Sequence, residues 1–167
     1  MSTKRLFFAL WPDERQREAL RNTISPVAKL VEGSALYRNA WHVTLFYVGE
    51  FDEERIPALK ASAAEVPFEP FRLRFDRAEF WPRANVAVLA PQIVPPELTQ
   101  LVEGLTEVGA AHGIRNEDRV YRPHVTIVRR ARKFETQRLT QPLMLQWTGF
   151  ELVESESNRG ESSYHVI

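Results

Sequence analysis

His42-Val43-Thr44-Leu45 returns 82 residues later as His124-Val125-Thr126-Ile127. Polar and apolar residues alternate in each tetrapeptide. In an extended strand the imidazole and the hydroxyl therefore share one face, and the two aliphatic residues share the other, where they can enter a core. Two such strands lining one cleft would supply two imidazoles, enough for a base and an acid in a single reaction. A single copy would be an ordinary half-buried strand. The chain has only four histidines, however, and two of them occupy matching tetrapeptides.

The surroundings match as well. Leu6-Phe7-Phe8-Ala9-Leu10, ended by Trp11-Pro12, reads as a buried strand, as does Val86-Ala87-Val88-Leu89-Ala90, ended by Pro91. A helix is expected near residues 13–32, opened by Pro12 and stopped by Gly33, with Pro26 kinking or splitting it. A second helix is expected where Leu98, Leu101, Val102, Leu105 and Val108 fall at helical spacing between Pro95-Pro96 and Gly113. Each helix leads to a His-Val-Thr strand. Leu73, Phe75 and Phe80 then align at a constant offset of 72 with Leu145, Trp147 and Leu152 in segments that alternate like strands. The first half inserts a helix near 53–65, with Ile56, Leu59 and Ala63 inward, where the second half has the polar stretch from Arg130 to Pro142. The pattern predicts one bilobal α+β domain over residues 1–167. Its halves lie at about 1–85 and 86–167, are related by a pseudo-twofold axis, and can exchange strands. One His-Thr strand from each half lines the groove between them.

Composition narrows the chemistry. Apolar content of 44% and charged content of 26% predict a soluble globular protein. Twenty-two basic residues against twenty-two acidic ones argue against coating long nucleic acid by bulk charge, while leaving room for a local basic pocket. With no cysteine, disulfides, thiolate metal sites and a Cys nucleophile are excluded. The apolar run Leu6–Trp11 is too short for a signal peptide and has no small-residue cleavage site after it. No stretch approaches the length of a membrane span, so the expected address is the cytoplasm. No glycine-rich phosphate loop, metal-binding His-Glu-x-x-His helix or serine nucleophile elbow is present. Neither a metal nor a cofactor is expected.

In-line cleavage of a phosphodiester needs a base at the attacking water and an acid at the departing oxygen, on opposite sides of phosphorus. Two histidines related by a twofold axis provide that opposition, and an imidazole pKa near 6.5 allows one to be neutral and one protonated. Thr44 and Thr126 can donate to the non-bridging oxygens. Arginine adds charge stabilisation, and the stretch Arg119, Arg122, Arg129, Arg130, Arg132, Lys133 is rich in basic residues. Strand parity puts Arg122 on the face of His124 and Thr126. Arg129 falls on the opposite face and reaches the groove only if the strand bends or has ended. Phe7, Trp41, Phe46, Tyr121 and Trp81 are candidates for stacking a nucleobase. His112, at a helix end, reads as structural, and His165 as a surface residue. The two halves are near-equivalent, so the residues alone leave open which histidine is acid and which is base.

These motifs resemble the 2H phosphoesterase superfamily, and within it the RNA 2′,3′-cyclic phosphodiesterases once called 2′-5′ RNA ligases. The resemblance is carried by Arg5-Leu6-Phe7-Phe8-Ala9-Leu10, by His42-Val43-Thr44-Leu45 leading to Val48-Gly49-Glu50, and by Arg122-Pro123-His124-Val125-Thr126-Ile127 ending at Arg129. It implies two lobes, each an antiparallel sheet with helices on its outer face, around a central cleft. It also implies metal-free opening of 2′,3′-cyclic phosphates on RNA ends or nucleotides to 2′-phosphates by a monomer. His42 would be the proton donor and His124 the proton acceptor, with Thr44, Thr126 and Arg129 on the phosphate. Trp41 stands where the family has a smaller aliphatic residue, and Phe46-Tyr47 where it has Lys-Phe, which removes a positive charge near the groove. The rival expectations are 2′-5′ ligation or cleavage, turnover of another cyclic nucleotide on the same fold, and a non-catalytic RNA- or nucleotide-binding module.

Overall fold

The protein is described by a computed structural model covering residues 1–115 and 120–167; Arg119 lies outside the described residues. β1 (Thr3–Leu10), β3 (Val43–Asp52), β8 (Glu151–Asn158) and β9 (Glu161–Val166) form one sheet in the order β3-β1-β8-β9. β2 (Ser34–Ala35), β4 (Phe71–Trp81), β5 (Val86–Ala90), β6 (Val125–Arg129) and β7 (Gln137–Trp147) form the other in the order β2-β6-β5-β4-β7. Every ladder is antiparallel. This is the α+β architecture that the sequence pattern predicts, with the two antiparallel sheets that the family resemblance implies.

Each sheet draws strands from both halves of the chain. β8 lies beside β1, and β4 lies beside β5. The helices cross over too. α1 (Glu14–Ala28) follows β1 of the first sheet but packs on β6 and β7 of the second, while α3 (Pro96–Ala111) follows β5 of the second sheet and packs on β3 of the first. α2 (Ile56–Ala64) lies against α3. α1 is opened by a capping box between Asp13 and Gln16 that satisfies two otherwise orphaned backbone donors.

Three sequence expectations change. α1 is not split at Pro26: it runs on to Ala28, with the proline in its final turn, where few later backbone bonds depend on it. The segment holding Leu145, Trp147 and Leu152 is two strands in different sheets, β7 and β8, separated at Thr148-Gly149-Phe150. Leu73 and Leu145 face each other across one ladder. At the far end of β4 the offset of 72 does mark equivalent places: Glu79 pairs with Val88, which pairs with Thr126, and Glu151 pairs with Ala9, which pairs with Thr44. The strand β9 has no counterpart in the sequence reading. It follows a tight turn at Arg159-Gly160, where both residues take positive φ (53° and 82°).

α3 approaches β3 closely at Gly109. A Cβ built there would lie 2.3 Å from Cζ of Phe46, whose ring is buried in the core. Gly109→Val is therefore expected to cost about 3 kcal/mol, the upper end of overpacking penalties, read as a lower urea midpoint at unchanged slope. A variant as stable as the parent would show that this contact does not hold α3 on the sheet. No helix among the described residues is long and apolar enough to cross a membrane.

Candidate active site

Val43 and Leu45, and Val125 and Ile127, are buried in one continuous core, and the intervening His42, Thr44, His124 and Thr126 are only partly covered. The alternation read from the sequence thus fixes the direction of all eight side chains. The two His-Thr pairs meet. His42, Thr44, His124 and Thr126 line one cavity of about 230 Å³ together with Arg129, Phe7, Tyr47 and Tyr164.

Arg129 reaches this cavity because of a β-bulge. Ala87 pairs with Val128 and Val88 with Thr126, which leaves Ile127 as the extra residue. The bulge reverses parity beyond it and brings Arg129 to the face of Thr126. β3 is built the same way: Phe8 pairs with Phe46 and Ala9 with Thr44, leaving Leu45 extra and bringing Tyr47 to the face of Thr44. The sequence signal is a pair of adjacent buried residues, Leu45-Phe46 and Ile127-Val128, that breaks each alternation.

The imidazoles are oriented alike. Nδ1–H of His42 donates to the Ala40 carbonyl at 2.7 Å, and Nδ1–H of His124 donates to the Arg122 carbonyl at 2.8 Å. These bonds fix the proton of the neutral ring on Nδ1 and leave Nε2 as the nitrogen that exchanges a proton. In His42, Nε2 is 3.0 Å from the Thr44 hydroxyl, which donates to it while the ring is neutral.

Their environments differ. His42 sits among aromatic rings: Phe7 at 4.8 Å, Tyr164 at 5.3 Å and Trp11 at 5.8 Å between centroids. Burial pushes its pKa down to about 4, and the charges of His124 and Arg129 act in the same direction, against the bond it donates to the Ala40 carbonyl. His124 packs against Trp81 at 4.3 Å. Burial lowers its pKa as well; the Arg122 charge adds to that, while the Arg122 carbonyl and the Glu79 carboxylate oppose it. In the free protein, then, the charges favour a proton on His124 over one on His42.

The other sequence candidates fall elsewhere. Arg122 is turned to Glu79 (3.1 Å) and lies over the Trp81 ring at 4.2 Å, outside the cavity lining. Trp41 and Phe46 are core residues, which corrects their assignment as stacking groups: Phe46 occupies the space left by Gly109, and Trp41 is 5% exposed. Tyr121 donates its hydroxyl to the Thr44 carbonyl at 2.7 Å and so ties the segment leading into β6 to β3; it does not line the cavity. Phe7 does line it, packed against His42. Arg130 donates to Ser34 Oγ, Arg132 pairs with Glu32, and Lys133 is exposed, so of the described basic stretch only Arg129 borders the cavity. His112 caps α3 and meets Ser62 of α2 at 2.9 Å. His165 lies at the surface near Glu156.

Sequence reasoning missed Tyr164, whose hydroxyl accepts from Arg129 at 2.9 Å. It arrives on β9, and only the alternating Glu154–Asn158 run followed by Arg159-Gly160 hints at that hairpin. Among the described residues, no three His, Cys, Asp or Glu side chains gather in a way that could hold a metal ion.

Two sheets that each present a His-x-Thr pair to one shared cavity define a 2H phosphoesterase fold. The chain belongs to the 2′-5′ RNA ligase superfamily, whose family pattern matches residues 12–156. It is 29% identical over 165 residues to the RNA 2′,3′-cyclic phosphodiesterase of Escherichia coli strain K12, covering 96% of this chain and 92% of that protein. The RNA 2′,3′-cyclic phosphodiesterase of Thermus thermophilus is 30% identical over 176 residues, covering 98% and 87%. The crystal structure of E. coli LigT complexed with 3′-AMP superposes with a TM-score of 0.88 at 28% identity, over 99% of this chain and 96% of that one.

Proposed function

We propose that the protein hydrolyses the 2′,3′-cyclic phosphodiester at RNA ends, or on nucleotides, to a 2′-phosphomonoester by metal-independent acid–base catalysis in the cytoplasm, as a monomer. A water oxygen bonds to phosphorus while the bond from phosphorus to O3′ breaks. His124 Nε2 takes the water proton, and His42 Nε2 gives a proton to O3′. Thr44 and Thr126 donate to the non-bridging oxygens, and the Arg129 guanidinium balances their charge. The observation that carries this reading is that two imidazoles, each anchored through Nδ1, border one small cavity with two hydroxyls and an arginine. The names of the E. coli and Thermus relatives point to the same substrate.

The role of His42 as donor is the one the family resemblance implies, and it requires the substrate to reverse the order of the free imidazoles. A phosphodiester anion in the cavity favours the imidazolium beside it. Thr44, relieved of its bond to Nε2 of a protonated ring, is then free to donate to the phosphate.

The test is incubation with RNA ending in a 2′,3′-cyclic phosphate, with and without excess EDTA. The expected product is a 2′-phosphate, at a rate EDTA does not change. Loss of activity in EDTA would remove metal independence. Turnover confined to 2′-5′-linked or other cyclic nucleotides would reassign the substrate, and tight binding without turnover would identify a binding module.

A further inference from the structure

In a 3′-terminal cyclic phosphate, the rest of the RNA chain lies entirely on the 5′ side, so it must leave the cavity over one of the two sheets. Their cleft faces differ in charge. On the first sheet, Phe7, Ala9 and Val153 form a small apolar cluster covered by Trp11 and Tyr164. Arg5 is already paired with Glu50 at 3.4 Å, and Glu151, on the row of Thr44, is exposed.

The second sheet is basic. Ala78 is buried toward the core, so its neighbours Arg77 and Glu79 face the cleft. Glu79 stands on the row of Thr126 and Val88, and Arg77 stands one row along, opposite Ala90, where the strand of His124 begins. Arg138 of β7 pairs with Arg77 and is exposed, with no ion-pair partner among the described residues. At about 4.8 Å per strand, Arg77 and Arg138 lie roughly 10 and 14 Å across the sheet from His124. Asp76 is shared by Arg74 (3.6 Å) and Arg77 (3.2 Å), and Glu79 is held by Arg122. Among the described residues, Arg74, Arg77 and Arg122 thus share two carboxylates, and Arg138 is the one of these four arginines without an ion-pair partner.

We propose that the RNA strand 5′ of the cyclic end crosses the second sheet, over β4 and onto β7, with a backbone phosphate held by Arg138 beyond the Trp81–Arg122 ledge beside His124. This rests on the phosphodiesterase reading and adds a direction and a contact outside the cavity. The chain is neutral overall, so the attraction is local: a mononucleotide occupying the cavity does not reach Arg138, and an oligonucleotide does.

The experiment compares kcat/KM for a nucleoside 2′,3′-cyclic monophosphate with that for a short oligoribonucleotide ending in the same group, across a salt series. The parent protein is expected to favour the oligonucleotide, with a steeper salt dependence. Arg138→Glu is expected to lower oligonucleotide turnover about tenfold and to flatten its log–log salt slope by about 0.7, the value for one single-strand phosphate contact. Its mononucleotide turnover should stay within about twofold of the parent. Lys60→Glu, the same charge change on exposed α2, is expected to leave both substrates unaffected. Equal salt slopes for the two substrates would overturn the inference, as would an equal loss on both in Arg138→Glu, or a loss in Lys60→Glu matching that in Arg138→Glu. Absence of turnover on both substrates in the parent would instead remove the phosphodiesterase reading, and the inference with it.

Discussion

Replacing His42 or His124 by Ala is expected to lower kcat on a 2′,3′-cyclic phosphate about 10²–10⁴-fold, the usual contribution of a positioned acid or base. The substrate should still bind, because Thr44, Thr126 and Arg129 remain in place around the cavity. The double variant is expected to lose far less than the product of the two single losses, since the pair acts on one transition state. Replacing the substrate with an aryl phosphodiester separates the two roles. A nitrophenolate leaves without protonation, so the variant lacking the acid should regain most of its rate relative to the parent, and the variant lacking the base should not. Recovery in His42→Ala fits the donor role; recovery in His124→Ala instead would exchange the assignments, in line with the charge order of the free protein. Full activity in either variant on the cyclic substrate would end the acid–base account.

Stability should fall steeply as the pH is lowered from about 6.5 toward 4, through the behaviour of one ring. His42 has a pKa near 4 in the folded protein against 6.5 unfolded. Between those values the unfolded chain binds the proton that the folded chain refuses, so stability is full above pH 6.5 and is lost on acidification. At 1.36 kcal/mol per pKa unit the loss reaches about 2.5 kcal/mol by pH 4.5, with a further loss of the same sign from His124, whose pKa is also lowered. Urea unfolding of the parent and of His42→Asn at pH 7 and pH 4.5 isolates the contribution of this ring. The variant should lose about 2.5 kcal/mol less over that interval; equal losses would show that the aromatic surround does not exclude the charge. The same shifts place both limbs of the kcat/KM profile, which reports the free protein, below pH 6.5. The kcat profile should lie at higher pH, because the bound phosphate anion favours the imidazolium.

The site was legible in the sequence where its logic is local. A period-two alternation is a property of consecutive residues, so His42-Val43-Thr44-Leu45 and its partner disclosed which side chains share a face before any fold was known. Repetition of that tetrapeptide among four histidines then pointed to one shared cleft. Trp41 and Phe46 were misread because an aromatic next to a motif looks the same from the sequence whether it faces ligand or core. The cavity left by Gly109, a residue 63 positions away, decides the matter for Phe46. Parity failed at Arg129 for a related reason. A bulge adds one residue to one strand only, and it exists only relative to the partner β5.

The order of residues along the chain determined the two motif strands, the helix boundaries set by Asp13, Pro96 and Gly113, and the pairing of an imidazole with a hydroxyl on each strand. Each of these follows from steric and periodic rules acting within a few residues. Tertiary structure alone decided that β8 closes onto β1 and β7 onto β4, that Tyr164 returns on a C-terminal hairpin to wall in His42, and that Glu79 is held beside His124 while its counterpart Glu151 is exposed. These contacts join residues up to 157 positions apart (Phe7 to Tyr164). Dehydration and Coulomb interaction depend on distance in space, so two histidines with the same local sequence acquire different proton affinities only once the sheets have met.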